Sequence, residues 1–410
     1  MTNGPGASTM SLDIQEKREK ETTMEFTSKI TLAADPAGIV EELTRDESGP
    51  FDLGFLFISS FSKVTAQEIV MMLRKRIRVR HLIGCTCMGV IGTEKEIERR
   101  PASVLILGRF SGVKLLPFSL SQIQLENLRT KEEWYNFFEV YPNENPIFLT
   151  LPDPFLFDMN GFLEKINRFY PHCPVVGGLA SAASGPGENT LILDEEQFED
   201  GMVGVILTGS ISVETIVSQG CRPIAQTFIV TKARDNVIYE LAGRPFLQVL
   251  QEVLHQAPAR DKLLAQEAVF VGIAMDEYRH EFKRGDFLIR GLMAIDQNTG
   301  AGAIADYVKA GQTIQFHVRD SAAATEDLYE LLTLKQRQIQ EKPRGALVFS
   351  CNGRGENLFA EKNHDIKMIQ KYIGPVPAAG FFCAGEIGPV CQSNFLHGFT
   401  SSIALFYPGR

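Results

Sequence analysis

Gly84-Cys85-Thr86-Cys87-Met88-Gly89-Val90-Ile91-Gly92 can be laid over Gly380-Phe381-Phe382-Cys383-Ala384-Gly385-Glu386-Ile387-Gly388 with five of nine positions identical. Glycines stand at the first, sixth and last positions, Cys at the fourth and Ile at the eighth. Each stretch sits at the same place in a longer unit: 28 residues separate Ser59 from Cys87, and 33 separate Ser350 from Cys383. A match in the same place within the same unit reads as a structural duplication.

Working outward, the first unit begins with the apolar strand Leu53 to Ser59 and continues as a helix over Thr65 to Arg76. The short strand around His81 to Thr86 follows, and Ala102 to Leu107 returns as a third strand. The C-terminal unit repeats the order with 346–350, 363–372, 378–383 and 400–406. A middle unit does so with 147–151, 158–170, 174–178 and 201–207. Strand, helix, strand, strand is text for an α/β chain whose helices cover one face of each sheet. The loop at 93–101 is too short for a crossover helix, so an antiparallel hairpin is expected there and the sheets should be mixed. The duplicated units predict two sheets packed face to face with helices outside.

Asp35-Pro36 is a strong helix start, with an N-cap acceptor and proline at the first helical position. Ser321 to Ile339 reads as a helix with Ser321 at its cap, and Pro245 to His255 as another. The division expected is a flexible arm over 1–30, an N-terminal domain over 31–245 and a C-terminal domain over 246–410.

Composition narrows the function classes. The chain has 410 residues, 44% hydrophobic and 22% charged, which is globular text of about two domains. With 41 basic against 50 acidic residues the net charge is −9, contrary to what a general nucleic-acid binder needs. No apolar run approaches the ~20 residues of a membrane span, and the polar start lacks a secretory leader. The seven cysteines are scattered without CxxC spacing, which fits a reducing compartment and a cytoplasmic location. The run Arg74, Lys75, Arg76, Arg78, Arg80 lies at a helix end, where positive charge complements the dipole. Lone His81, His255 and His280 read as solvated side chains in helical or turn text.

Two turns carry candidate chemistry. Cys351-Asn352-Gly353-Arg354-Gly355 follows a strand directly, where ligands of α/β folds settle. There Arg354 can hold a carboxylate with two parallel bonds, and Asn352 offers donor and acceptor together. The plainer account is a tight turn with Arg354 in a structural ion pair. Cys383-Ala384-Gly385-Glu386 ends the neighbouring strand, so Cys351, Asn352, Arg354, Cys383 and Glu386 are expected to line one cleft. The plainer account of Cys383 is a packed small residue. A nucleophilic Cys383 served by His397 is a third possibility, although no orienting group or oxyanion loop is evident. Cys383, Cys391 and His397 fit no structural zinc spacing, so neither metal nor cofactor is expected.

With their flanks, these motifs resemble the FIST proteins (F-box and intracellular signal transduction). The resemblance rests on Ile83 to Thr86, Val176 to Ala180, Ser218 to Ile224, Arg290-Gly291-Leu292, Ile295-Asp296 and Arg319-Asp320. It rests further on Ser350 to Gly355, Gly380 to Pro389, His397-Gly398 and Thr400, so that it covers roughly 50–407 in family order. Cys87-Met88-Gly89-Val90 departs from the more usual small-Ala-Gly-Glu text and lacks its glutamate. The first ~30 residues are too short and charged for an F-box. The resemblance implies a sensory protein that binds a small, amino-acid-like ligand and signals to a protein effector. The alternatives are an interaction scaffold like the F-box relatives and a cysteine-dependent enzyme.

Overall fold

Residues 23–60 and 65–409 are described by a computed structural model. Strand Met24–Thr31 is part of the first sheet, so described order reaches into the 1–30 segment. The rest of the expected arm, 1–22, lies outside the described residues.

The mixed α/β class stands. Three parallel strand pairs organise it: Phe51–Ser59 with Val79–Cys87, Ile147–Pro152 with Val175–Gly178, and Gly345–Cys351 with Ala378–Cys383. A helix joins each pair: Ala66–Arg76, Met159–Phe169 and His364–Ile373. The strands Ser103–Phe110, Met202–Gly209 and Thr400–Pro408 then return antiparallel beside the first strand of their pairs. Met24–Thr31, Val113–Leu120 and Ile211–Gln219 flank those in turn.

Each middle strand carries a glycine directly opposite a neighbouring carbonyl. A Cβ on Gly84, Gly177 or Gly380 would lie 2.0, 1.9 or 1.7 Å from the oxygen of Leu56, Thr150 or Val348. The recurring glycine of the sequence is thus a close-approach residue in all three units. Cys87 and Cys383 end their strands at equivalent places, registered against Ser59 and Cys351. The positional equivalent of Ser59 is therefore Cys351, one residue beyond the serine used in the sequence alignment.

Among the described residues the expected two sheets are replaced by four. The segment after each middle strand does not hairpin back within its own sheet. Gly89–Gly92 and Glu96–Glu98 leave the first unit as a hairpin whose strand Gly89–Gly92 pairs with Ala378–Cys383 of the third. Glu386–Val390 and Ser393–His397 leave the third for Val175–Gly178 of the second. Leu191–Leu193 and Glu196–Phe198 leave the second for Val79–Cys87 of the first. This cyclic exchange gives three six-stranded sheets. Their inner faces share a core that includes Phe57, Leu149, Val176 and Phe381. A separate apolar cluster lies beneath the helices of each unit.

The fourth sheet is inserted into the third unit, between Ile211–Gln219 and the helix Ser321–Gln338. Its strands, from Cys221–Arg234 to Thr313–Arg319, pair antiparallel with their neighbours around the sheet, the first of them directly beside Thr313–Arg319. A further pairing of Cys221–Arg234 with Val237–Leu241 closes it into a barrel. Helix Phe246–Gln256 contributes Phe246, Val249 and Leu250 to the barrel's apolar cluster. Residue 245 falls inside this barrel. The cap of Ser321–Gln338 is Asp320, whose Oδ1 accepts from the N–H groups of Ala322 and Ala323, in place of the expected Ser321.

His81 lies on a strand and bonds Asp194 at 3.3 Å, which corrects its reading as a solvated side chain in helical or turn text. The basic run is engaged locally. Arg74 pairs with Asp194 and Glu195, and Arg76 with Glu41.

Candidate functional site

The C-terminal ends of Gly345–Cys351 and Ala378–Cys383 bring the five sequence-predicted residues into one neighbourhood. Cys351 and Cys383 are register partners, and the Asn352 N–H donates to the Cys383 carbonyl at 2.9 Å. The chain turns tightly, Arg354 N donating to the Cys351 carbonyl at 2.8 Å. The Cys351 thiol lies beside the Glu386 carboxyl.

Arg354 is only 1% exposed. Its Nε and Nη2 donate to Oδ2 and Oδ1 of Asp365 at 2.8 and 2.9 Å, and its Nη1 has no hydrogen-bond partner among the described residues. The carboxylate has two further donors. Ser350 Oγ reaches Oδ2 at 2.9 Å, and His364 Nδ1 stands 2.9 Å from Oδ1. Burial alone would raise the Asp365 carboxyl, but the Arg354 guanidinium and the His364 bond outweigh it and hold the group well below its usual range.

Glu386 is fully buried. Its Oε2 accepts from Thr400 N at 3.0 Å and Thr400 Oγ1 at 2.8 Å, whereas Oε1 has no hydrogen-bond partner among the described residues. Burial pushes this carboxyl up to about 8 against the Thr400 bonds and the Arg354 charge. Asn352 Oδ1 is a third buried polar atom without a partner among the described residues, and the second acceptor of the three. Buried polar atoms in folded proteins are nearly always paired, so three such atoms in one turn region need an explanation.

Gly220 adjoins the unpaired nitrogen. A Cβ there would lie 3.4 Å from Arg354 Nη1 and 2.6 Å from the Phe399 carbonyl, so only glycine fits. Gly220 is also where the chain enters the barrel, and Asp320, where it leaves, donates N–H to the Gly220 carbonyl at 3.2 Å. Arg319, the last residue of the barrel, reaches the Gly353 carbonyl at 3.3 Å. Both crossings into the barrel thus touch the turn that carries Arg354.

The thiols are poor nucleophiles here. Burial raises Cys383 well above its ordinary value and also raises Cys351, leaving both neutral near pH 7. Cys383 Sγ points its bond at the Phe381 carbonyl, while His397 Nε2 bonds the Gly388 carbonyl at 3.0 Å. Burial pushes His397 down to about 4, so it is uncharged too. Among the described residues no group of three or more His, Cys, Asp or Glu is placed to hold a metal ion.

The ion-pair partner of Arg354 is Asp365, a residue that the sequence pattern did not single out. The only signal was an acidic residue in the first turn of the following helix, and the turn between them had to be folded before it could count. Glu96 was missed as well. It arrives on the exchanged hairpin from the first unit, where its Oε1 accepts from Ile366 N at 2.8 Å. Burial, and then the neighbouring Asp365, push Glu96 up to about 8.

Comparison with known proteins matches residues 52–244 to the FIST N domain and 247–389 to the FIST C domain. The seam between the two matches falls inside the barrel. The chain is 40% identical over 342 residues to Uncharacterized protein Rv0628c of Mycobacterium tuberculosis, covering 83% of this chain and 87% of that protein. It is 38% identical over 345 residues to Uncharacterized protein Mb0898c of Mycobacterium bovis, covering 83% and 86%.

Proposed function

The chain belongs to the FIST family, and from that premise we propose that it is a cytoplasmic sensory protein that binds a small amino-acid-like ligand and signals to a protein effector. FIST domains are associated with signal transduction and small-ligand sensing. The ligand would be held by Arg354 and Glu386, with Asn352, Cys351 and Cys383 around them.

One observation carries the reading. Two buried groups of opposite charge type, each anchored on one side, both keep an unpaired atom: Nη1 of Arg354 and Oε1 of Glu386. An arginine already fixed by Asp365 is rigid, and its free N–H is a ready donor for an anion. The free oxygen of Glu386 suits an ammonium. Together they read the two ends of an amino acid, and the Asn352 carbonyl oxygen offers a second acceptor. Ligand contact with Arg354 would bear on Gly220 and the barrel crossings, which gives the signal a physical route to the surface. We further infer that the three units arose by internal duplication, supported by the shared strand order and the three close-approach glycines.

A thermal-shift screen of the wild-type chain against amino acids and small carboxylates tests this, since a ligand at 100 times its Kd adds about 2.7 kcal/mol. The selective variant is Glu386→Gln, which keeps the shape and removes the charge. Stabilisation by an amino acid in the wild type that is lost in Glu386→Gln supports the site. A ligand response retained in full by Glu386→Gln places the ligand elsewhere.

A further inference from the structure

A cleft of about 500 Å3 opens between the helices Ser321–Gln338 and His364–Ile373, on the outer side of the third unit. Thr325, His364, Lys367, Met368, Lys371 and Tyr372 line it, with Glu361 at its margin. We propose that this cleft is a binding site for a small phosphomonoester, its phosphate held by His364, Lys367 and Lys371 and its organic part against Met368 and Tyr372.

The imidazole is the built part of the site. His364 is 8% exposed, its ring lies parallel to Phe359 with centroids 3.5 Å apart, and its Nδ1 is fixed on Asp365 at 2.9 Å. That leaves Nε2 as the working atom, now 2.9 Å from Thr325 Oγ1. The Thr325 hydroxyl also has the Ser321 carbonyl at 2.8 Å. A ligand oxygen can therefore replace Thr325 on His364 without stranding the hydroxyl, and with Nδ1–H given to a carboxylate it is the imidazolium form of the ring that presents an Nε2–H donor.

The cations follow from helix spacing. Lys367 and Lys371 lie three and seven residues beyond His364, on one face of the same helix. Lys371 contacts the Tyr372 ring at 5.1 Å and has no carboxylate partner among the described residues. Lys367 is paired with Glu361 at 2.6 Å, but the two side chains are 52% and 64% exposed. Such an exposed pair contributes little and yields readily to a stronger anion. A phosphomonoester carries a charge of about −1.5 to −2 at neutral pH with three acceptor oxygens. Two ammonium groups and one imidazole match that charge and that number of acceptors, whereas a monocarboxylate would leave a cation unanswered. Asp365 orients both this ring and Arg354, so the cleft and the buried turn share one carboxylate; the phosphate assignment itself does not depend on what binds at Arg354.

Phenyl phosphate is a suitable probe for the full chain. Titration followed by the imidazole nitrogen signals of His364, against sodium chloride at matched ionic strength, should give a saturable shift of the Nε2 resonance. The double variant Lys367→Gln, Lys371→Gln should weaken that binding at least tenfold with an unchanged melting temperature, because both side chains are on the surface. Absence of a shift beyond the salt control, or unchanged affinity in the folded double variant, would overturn the proposal.

Discussion

Arg354 holds Asp365 through two parallel hydrogen bonds of 2.8 and 2.9 Å in a place where neither side chain meets solvent. Such a pair contributes little relative to apolar packing, but removing one partner strands the other charge. Asp365→Asn should therefore lower the unfolding free energy by about 3–5 kcal/mol. Arg354→Ala should cost a similar amount, which makes truncation of the arginine a test of folding before it is a test of binding. Urea denaturation of both variants checks this. Near-wild-type midpoints would mean that the pair is solvated in solution.

The recurring glycines predict a sharp positional contrast. Gly177→Ala or Gly380→Ala sets a methyl group within 2 Å of a backbone oxygen on the paired strand, so the two central strands must separate. Overpacking of a core costs roughly 1–3 kcal/mol and sometimes more, and here the obstacle is backbone that no rotamer relieves. Gly291→Ala meets nothing within 4 Å and serves as the control. Soluble yield and thermal melts should fall for the first two and hold for the third.

These glycines also explain how much was legible. A close-approach glycine must be glycine wherever the strand pair recurs, so the alignment of 84–92 with 380–388 exposed the unit and its position in the sheet. Which sheet each following hairpin joins left no such trace. Gly89–Gly92 and Glu386–Val390 read as ordinary short strands, and their register partners lie at least 287 and 208 residues away in sequence respectively. The two-sheet expectation failed at that point. The site divides in the same way. Asn352, Arg354 and Glu386 stood out because charged and amide side chains flank glycine turns at strand ends. Asp365 and Glu96 became neighbours of Arg354 only through a helix start and an exchanged hairpin.

Ser181 illustrates what the exchange requires. Its Oγ donates to the Phe382 carbonyl at 2.5 Å and accepts from Met88 N at 2.9 Å, so a residue following the second unit's middle strand ties the first and third together. Ser181→Ala leaves a buried carbonyl and an N–H without this partner, at an expected cost of about 1–3 kcal/mol. Ser181→Cys, with a longer and weaker hydrogen-bonding group, should recover only part of it. Denaturant midpoints of the two variants decide the matter, and equal midpoints for alanine and wild type would contradict it.

The two buried carboxyls set a pH dependence whose sign can be worked out. Glu96 and Glu386 sit near 8 in the folded protein against 4.5 as the ordinary value. Between those values the native state binds more protons than the unfolded state, so stability falls as pH rises, by up to about 1.4 kcal/mol per pH unit for each group. The fall should level off above about pH 8. Asp365 acts in the opposite sense: its depressed carboxyl gives stability that is lost only in acid, as pH falls below its ordinary range. Glu96→Gln removes one of the two upper titrations while keeping an acceptor for Ile366 N, so urea midpoints at pH 5.5, 6.5 and 7.5 should decline less steeply in the variant. A ligand ammonium bound at Glu386 would draw that carboxyl into its charged form and release a proton near neutral pH. Calorimetric binding enthalpies for such a ligand should then change with the ionisation enthalpy of the buffer, and an enthalpy independent of buffer would remove Glu386 from the ammonium's contacts.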